Sequence, residues 1–510
     1  MILRQVTIVT LFTGVNLFAT LLNQLVLAYL FGASASMDAF LASGVVPFAV
    51  LNMAIGDMSY VLVPMLLRYE KNGEVRTAID STFTMTTLLA IGVSTVGILG
   101  HRIFLQWTTS ASMPAATFEL AASMAPLIWV ITGLTVTGSF LTGVHHYSRS
   151  FSLPAMTLAI PYAGMIAGGL LGTGHIGISS VVWGWAAGTV ARDIVLYFWL
   201  PGTRPKLTLD VTHPANRKLL NTLTPLCMSL LPFTILPLID VFWASRLPVG
   251  SISYLGYSNR IVIALTAIVV QGISVVLFPH LSQLLANNQT AAFRSRAQEA
   301  IKMILFIMFP LAVLVGVLRS SLLEVLLVRG NFSSLAAAQV AQVLPLYLLG
   351  TIWMAAMNLV SRGFFALRDY STPALAGLGG IFLYFISVGL LIGRFSYVGV
   401  GFAYAGFWPL MFFLQLYLLG RIVGTFFTPD LFLFLGKVAL SALLTGTAVD
   451  LLIHSKSIAP LGLAGILLAA GVGAGTFFAI GHFVFRVPQC RTLLDIIGRR
   501  HAAAAATLNT

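Results

Sequence analysis

The chain has 510 residues, of which 58% are hydrophobic and 8% charged, and its formal net charge is +13. A soluble domain carries about 25% charged residues, so this composition excludes an ordinary globular protein. The basic excess sits in short segments between apolar runs, which excludes a nucleic-acid-binding stripe, and two cysteines, Cys227 and Cys490, build neither a disulfide framework nor a zinc site.

In chain order the apolar runs predict fourteen membrane-spanning helices: 6–31, 38–67, 79–101, 117–144, 153–173, 177–200, 220–246, 252–285, 299–319, 338–362, 373–393, 397–421, 431–453 and 459–485. Each is long enough to cross a hydrocarbon core of about 30 Å. The alternating segments of about ten residues that mark a β-barrel are missing. Arg4 precedes the first run without a small-residue cleavage site, so that run is expected to stay as span 1. The longest polar connections, 68–78, 102–116, 201–219, 286–298 and 320–337, are too short for a soluble domain. With the N-terminus inside, twenty-one of the 28 Lys and Arg residues fall on the cytoplasmic side and six outside, with Arg260 left within span 8. Both termini are therefore expected to be cytoplasmic.

Two cytoplasmic connections repeat a pattern: "RSFSLPA" (149–155) follows span 4, and "RDYSTPA" (368–374) follows span 10. A second echo pairs "VLVPMLLR" (61–68), closing span 2, with "VLFPHLSQ" (276–283), closing span 8. Six spans is an even number, so both copies keep one orientation. The expected fold is an all-α polytopic membrane protein. Two parallel six-helix bundles, 1–200 and 220–421, are joined by a cytoplasmic linker, 201–219, and followed by two further helices and a tail, 422–510. Parallel repeats of this kind place a substrate cavity between the halves. In each echo Pro starts the next helix, Ser caps it and Arg meets headgroups or a helix C-terminus. A cytoplasmic latch made by Arg149 and Arg368 is the functional alternative.

Four further stretches are specific. "LFGASASMDAF" (30–40), "YSNRIVIALTAIVVQGISVVLFPHLS" (257–282), "LLVRGNF" (326–332) and "FFALRDYSTPA" (364–374) resemble, in order and over nearly the whole chain, the motifs of the MurJ/MviN branch of the multidrug/oligosaccharidyl-lipid/polysaccharide exporter superfamily. The resemblance implies a flippase for an undecaprenyl-linked peptidoglycan precursor, with a V-shaped central cavity and a tail groove near spans 13 and 14. It also exposes a departure. Family members usually carry cavity arginines in spans 1, 2 and 8, whereas the span 1 and span 2 positions here hold Leu17, Asn23, Gln24 and Leu51, leaving Arg260. Another lipid-linked glycan, such as an exopolysaccharide repeat unit, is the alternative substrate. A small-molecule exporter of the same superfamily is the alternative function.

The polar residues inside spans are the candidate working groups. Arg260 offers a guanidinium to a phosphate, or snorkels to the headgroups. Asn23 and Gln24 bond sugar hydroxyls, or serve as interhelical polar contacts. Asp38 is a cavity acid or the cap of span 2, and Asp57 a substrate or proton contact. Asp240, in a span with Pro225, Pro232 and Pro237, is the ion-coupling candidate, with a partner role for Arg246 or Arg260 as the alternative. Span 11 offers it no acid and no Asn. Glu119 reads as a helix-start charge, "HHYSR" (145–149) as interfacial packing, and Gly164 with Gly168, or Gly471 with Gly475, as close helix contacts. No cofactor is expected, and a coupling cation is left unidentified. The expected partners are the lipid-linked saccharide and bacterial membrane lipids, with no nucleic acid and a functional monomer. A membrane enzyme would need acid, base or Arg clusters on a sizeable outer loop. A major-facilitator carrier would need a charged Gly-x-x-x-Asp-Arg loop where "RYEKNGEVR" stands.

Overall fold

The computed structural model describes residues 2–55, 58–202, 204–287, 289–367, 369, 371–454 and 462–490. Among these, regular structure is helical throughout. The helices are α1 (Ile2–Phe31), α2 (Ala35–Ile55), α3 (Met58–Lys71), α4 (Val75–Thr108), α5 (Ala115–Tyr147), α6 (Ser152–Thr157), α7 (Ile160–Ile176), α8 (Ser179–Phe198), α9 (Pro214–Ala244), α10 (Ser251–Ala286), α11 (Thr290–Leu327), α12 (Ser334–Ala366), α13 (Ser371–Phe395), α14 (Val398–Val423), α15 (Pro429–Ile453) and α16 (Gly462–Ala479), the last continued by a π turn over Ile480–Val484. Eleven helices among the described residues are long and apolar enough to cross a membrane. The predicted span 153–173 is one of these, Ser152–Ile176, with a turn between α6 and α7. Pro161, near the start of α7, lacks an N–H, and its ring crowds the carbonyl four residues back, so the helix restarts there.

Two compact units are present. The first comprises residues 1–256, 327–336 and 381–392. One end of it is built around Leu62, Leu66, Ile79, Phe140, Val144 and Leu219, contributed by α3, α4, α5 and α9. Its tightest seam joins α7 to α8. A Cβ built on Gly164 would lie 2.3 Å from the Gly184 carbonyl oxygen, and one on Gly168 would lie 2.4 Å from that of Ser180. Glycine at these positions lets the backbones touch, and dispersion between closely packed helices then holds them in lipid. The second unit comprises 257–326, 337–380 and 393–510. In it Leu314 and Leu318 of α11 pack with Val449 of α15 and with Ile466 and Ala469 of α16. Gly471 and Gly475 do not form the expected close contact, because a Cβ on either would meet open space. Gly473 is the close one, its Cβ position 2.3 Å from Leu314. Spacing identified the right helix face for α7 and the wrong one for α16.

The repeat reaches the hydrogen bonds. At the offset that separates Arg149 from Arg368, Ser150 N–H donates to His145 O (2.9 Å) and Asp369 N–H to Phe364 O (3.0 Å). Ser180 N–H donates to Gly177 O (3.2 Å) and Gly399 N–H to Ser396 O (3.0 Å), while Val181 N–H to Ile178 O (3.0 Å) answers Val400 N–H to Tyr397 O (3.2 Å). Thr132 and Thr351 each donate to the carbonyl one turn back. Pro126 and Pro345 sit inside α5 and α12.

Candidate functional site

Two of the stretches singled out in the sequence, 30–40 and 326–332, meet at one end of the first unit. The α1 helix ends at Gly32, whose φ of +57° gives the left-handed turn that closes a helix. The last carbonyls of α1 lack intrahelical partners and are met by Asn331: its N–H donates to Tyr29 O (2.9 Å) and its Nδ2 to Leu30 O (2.6 Å). A Cβ on Gly32 would stand 2.2 Å from Asn331 O, so glycine is what allows "LFG" to dock on "RGNF". Asp38 then does for α10 what a capping box does within one helix. Its carboxylate, 4% exposed, accepts from Gly250 N–H (2.6 Å), Ser253 N–H (2.8 Å) and Ser253 Oγ (2.5 Å). A buried carboxylate facing the positive end of a helix, with three donors, is well satisfied. The expected cap of span 2 is instead made by Ser34, whose Oγ accepts from Met37 N–H. At the same end Ser110 N–H, from the α4–α5 turn, donates to Ser245 Oγ after α9 (2.7 Å). The turns after α1 and α4 are thus stitched to residues 245–253 and 331.

On α1 the structure buries Asn23 (2% exposed) and half-buries Gln24. Asn16, Thr20 and Asn23 recur at i, i+4 and i+7, so they share one face. Thr20 Oγ1 donates to Asn16 O, and the buried Oδ1 atoms of Asn16 and Asn23 accept no hydrogen bond among the described residues. Asn16 and Thr20 were missed in the sequence reading, although their helical spacing to Asn23 was there to be read. Arg260 is half-buried on α10. Asp57 and Arg368 lie outside the described residues.

Asp240 on α9 accepts from the hydroxyl of Tyr384 on α13 at 2.6 Å, both side chains buried. Span 11 thus supplies a phenol where only acids and Asn had been sought. Arg246 lies over the rings of Phe242 (4.5 Å) and Trp243 (4.3 Å), a cation–π arrangement. Arg149 is exposed and takes φ +58°, the left-handed position after α5, so its backbone has a structural role of its own. Glu119 is a partner to Arg102 rather than a lone helix-start charge, with contacts of 3.0 and 2.7 Å. His145 and His146 face Leu196 O and Ser59 Oγ.

Sequence reading also passed over a buried charge pair. Arg192 and Asp193 of α8 approach to 3.8 Å, and Arg192 Nη2 donates to Thr142 Oγ1 at 3.3 Å. Gly138 makes room for them, since a Cβ there would lie 2.2 Å from Asp193 Oδ1. This part of α8 is packed against α5.

The family profile described as "Lipid II flippase MurJ" matches residues 27–472. A lipid II flippase MurJ of Burkholderia cenocepacia is 22% identical over 74% of this chain and 75% of its own. A probable lipid II flippase MurJ of Vibrio cholerae is 26% identical over 79% and 80%. Among solved structures, a lipid II flippase MurJ in an inward closed conformation superposes with a TM-score of 0.78 at 19% identity, covering 93% of this chain and 98% of that one. An inward-facing multidrug resistance MATE family transporter of the MOP superfamily gives 0.65 at 12% identity, over 80% and 96%. These likenesses establish the fold.

Proposed function

The chain belongs to the MurJ family, and from that membership we propose that it is a lipid II flippase. It carries the undecaprenyl-diphosphate-linked peptidoglycan precursor from the inner to the outer leaflet of the bacterial inner membrane by alternating access, as a transporter and not an enzyme. The observation that carries this reading is the match over residues 27–472. The proposal includes fourteen spans: two parallel six-helix repeats, 1–200 and 220–421, the linker 201–219, and the region 422–510 with two more helices. The hydrogen bonds that recur at one constant offset support the repeats. The Lys/Arg bias supports cytoplasmic termini.

Each phosphate and sugar hydroxyl that leaves water must find a polar partner in the protein. Arg260 is proposed to hold the diphosphate, and Asn23, Gln24 and Asp57 the sugar and peptide groups. The Asp38 carboxylate and its three donors form the outer gate, which opens when those bonds part. Asp240 with Tyr384 is the candidate for coupling to an as yet unidentified cation. Arg149 and Arg368, in the two cytoplasmic connections that echo each other in sequence, are the gating candidates. No cofactor is required, and one chain suffices.

A second reading, transport of another lipid-linked glycan, is favoured by Leu17, Asn23, Gln24 and Leu51 at positions where the family resemblance implies arginine. Complementation of bacteria depleted of their own lipid II flippase separates the two. Rescue by the wild type, with failure of an equally expressed Arg260→Ala variant, is the expected outcome. A correctly inserted wild type that gives no rescue would discard lipid II as substrate.

A further inference from the structure

The α4 helix has 34 residues, about 51 Å at 1.5 Å per residue. That exceeds the roughly 40–45 Å of a bilayer with its headgroups, so its first turns stand in the headgroup layer. These turns carry Arg76, Asp80, Ser81 and Thr84, an unusual polar run for a membrane helix. Each binds the segment that follows α8. Lys206 N–H donates to Asp80 Oδ1 (2.8 Å), Thr208 N–H to Thr84 Oγ1 (2.9 Å), Ser81 Oγ to Asp210 O (2.5 Å) and Arg76 Nη2 to Arg204 O (2.6 Å). Tyr197 OH donates to Pro205 O (3.1 Å), and Asn216 Nδ2 to Val211 O (2.9 Å). The segment has no regular structure, yet side chains fix its backbone from 204 to 211.

Held by α4 at 204, 206, 208 and 210, the segment presents two leucines to the outside: Leu207 is 67% exposed and Leu209 wholly so. Arg204, Lys206, Arg217 and Lys218 are exposed along the same stretch. Phe198 and Trp199, at the end of α8, are exposed beside it, and the Arg204 guanidinium lies 4.9 Å from the Phe198 ring centre. Exposed aromatic rings at a helix end mark the membrane–water interface. Leucine and lysine or arginine together, at that level, are the signature of a segment lying in the interface of an anionic leaflet.

We propose that residues 204–211 form a membrane-docking strap that seats Leu207 and Leu209 at the acyl boundary while Arg204, Lys206, Arg217 and Lys218 bind anionic phospholipid headgroups. Insertion carries no unpaired N–H into the apolar layer at 206 or 208, because α4 already holds both, and that lowers the penalty for a non-helical segment at this depth. The strap requires only the membrane-spanning fold, so it stands or falls independently of the substrate transported.

The test uses the full chain carrying Cys227→Ser and Cys490→Ala, with a nitroxide on Leu209→Cys or, as a reference, on Asn72→Cys in the α3–α4 turn. Collision with oxygen, which partitions into lipid, is compared with collision with a water-soluble nickel chelate. Measurements are made in phosphatidylcholine vesicles with and without phosphatidylglycerol. The expected result is a shift at 209 towards oxygen and away from the chelate when phosphatidylglycerol is present, with a smaller shift at 72. The phosphatidylglycerol dependence is expected to be lost in the triple variant Lys206→Gln, Arg217→Gln, Lys218→Gln. Residue 209 as open to the chelate as 72 in phosphatidylglycerol vesicles would overturn the strap. Equal burial with and without phosphatidylglycerol would overturn the anionic headgroup assignment. Protection found only in native membranes would assign the leucines to a protein partner and overturn the proposal.

Discussion

The turn between α7 and α8 and the turn between α13 and α14 occupy matching places in the two repeats, and they share a backbone but not a sequence. Gly177 and Ser396, related by the same offset as Arg149 and Arg368, both take positive φ, +60° and +53°, and the same two hydrogen bonds follow each. The helix faces beyond the turns diverge. In the first repeat, Gly164 and Gly168 meet Gly184 and Gly188 backbone to backbone. In the second, Leu383, Ser387, Ala403 and Phe407 hold those places, and Gly380 instead gives room to the side chains of Phe407 and Met411. A hairpin turn has few backbone solutions, so it persists through divergence. A helix seam has several, small against small or small against large, and drifts between them.

The largest expected effect tests the seam. Gly184→Ala places a Cβ 2.1 Å from Gly164 O, against backbone that cannot rotate away. It should lower stability by about 2–3 kcal/mol, the scale of overpacking. Ala403→Gly, at the matching place, should cost only about 1 kcal/mol through helix propensity. Thermal unfolding in detergent compares the two; equal losses would mean that the seams do not differ. A smaller and opposite-signed pair tests the turns. A Cβ on Gly177 meets open space, but φ +60° with ψ −142° is a conformation that favours glycine, so Gly177→Ala should cost at least about 1 kcal/mol, and Ser396→Gly should gain about 1 kcal/mol. Denaturation of each variant beside the wild type checks the sign.

The smallest effect is a pH dependence present in one copy of the Arg-x-aromatic-Ser-x-Pro-Ala turn. Partial burial alone would raise the Asp369 carboxyl, but hydrogen bonds from Thr372 and Ser371 outweigh it and hold the group below the usual carboxylate range. A depressed folded value means that its stabilisation is complete above the unfolded carboxylate pKa and fades as pH falls through the folded one. The first copy has Ser150 there. Asp369→Asn should therefore flatten the acid limb of the stability–pH curve, and Ser150→Ala should leave that limb unchanged.

How much was legible follows from how far apart the interacting residues lie. Hydropathy found an all-helical, membrane-spanning chain because each apolar run is a local fact. The turn inside the span Ser152–Ile176 was equally local, signalled by Pro161, but apolar character runs through it. The echoes at Arg149 and Arg368 could be read from the sequence, but Gly177 and Ser396 share no residue type and became visible only as backbone angles. The site was least readable. Asp38 finds its donors at sequence separations of 212 and 215, and Asp240 finds Tyr384 at a separation of 144. Asp80 and Thr84 hold a segment at separations of 126 and 124. Nothing in the chain near any of these carboxylates names its partner. Asn16 and Thr20 are the exception, a face visible from spacing alone.

The Asp38 contact has a consequence for how this molecule can change over generations. Two of its three donors are main-chain amides, which every residue except proline supplies. Most substitutions at 253 therefore keep one of the two donors that residue supplies, whereas Gly250, at φ +96° with a Cβ position 3.1 Å from Ala33 O, is fixed by its backbone. The acceptor side of the contact rests on one acidic side chain, so its loss by a single codon change is a narrow target for drift and a sharp one for selection.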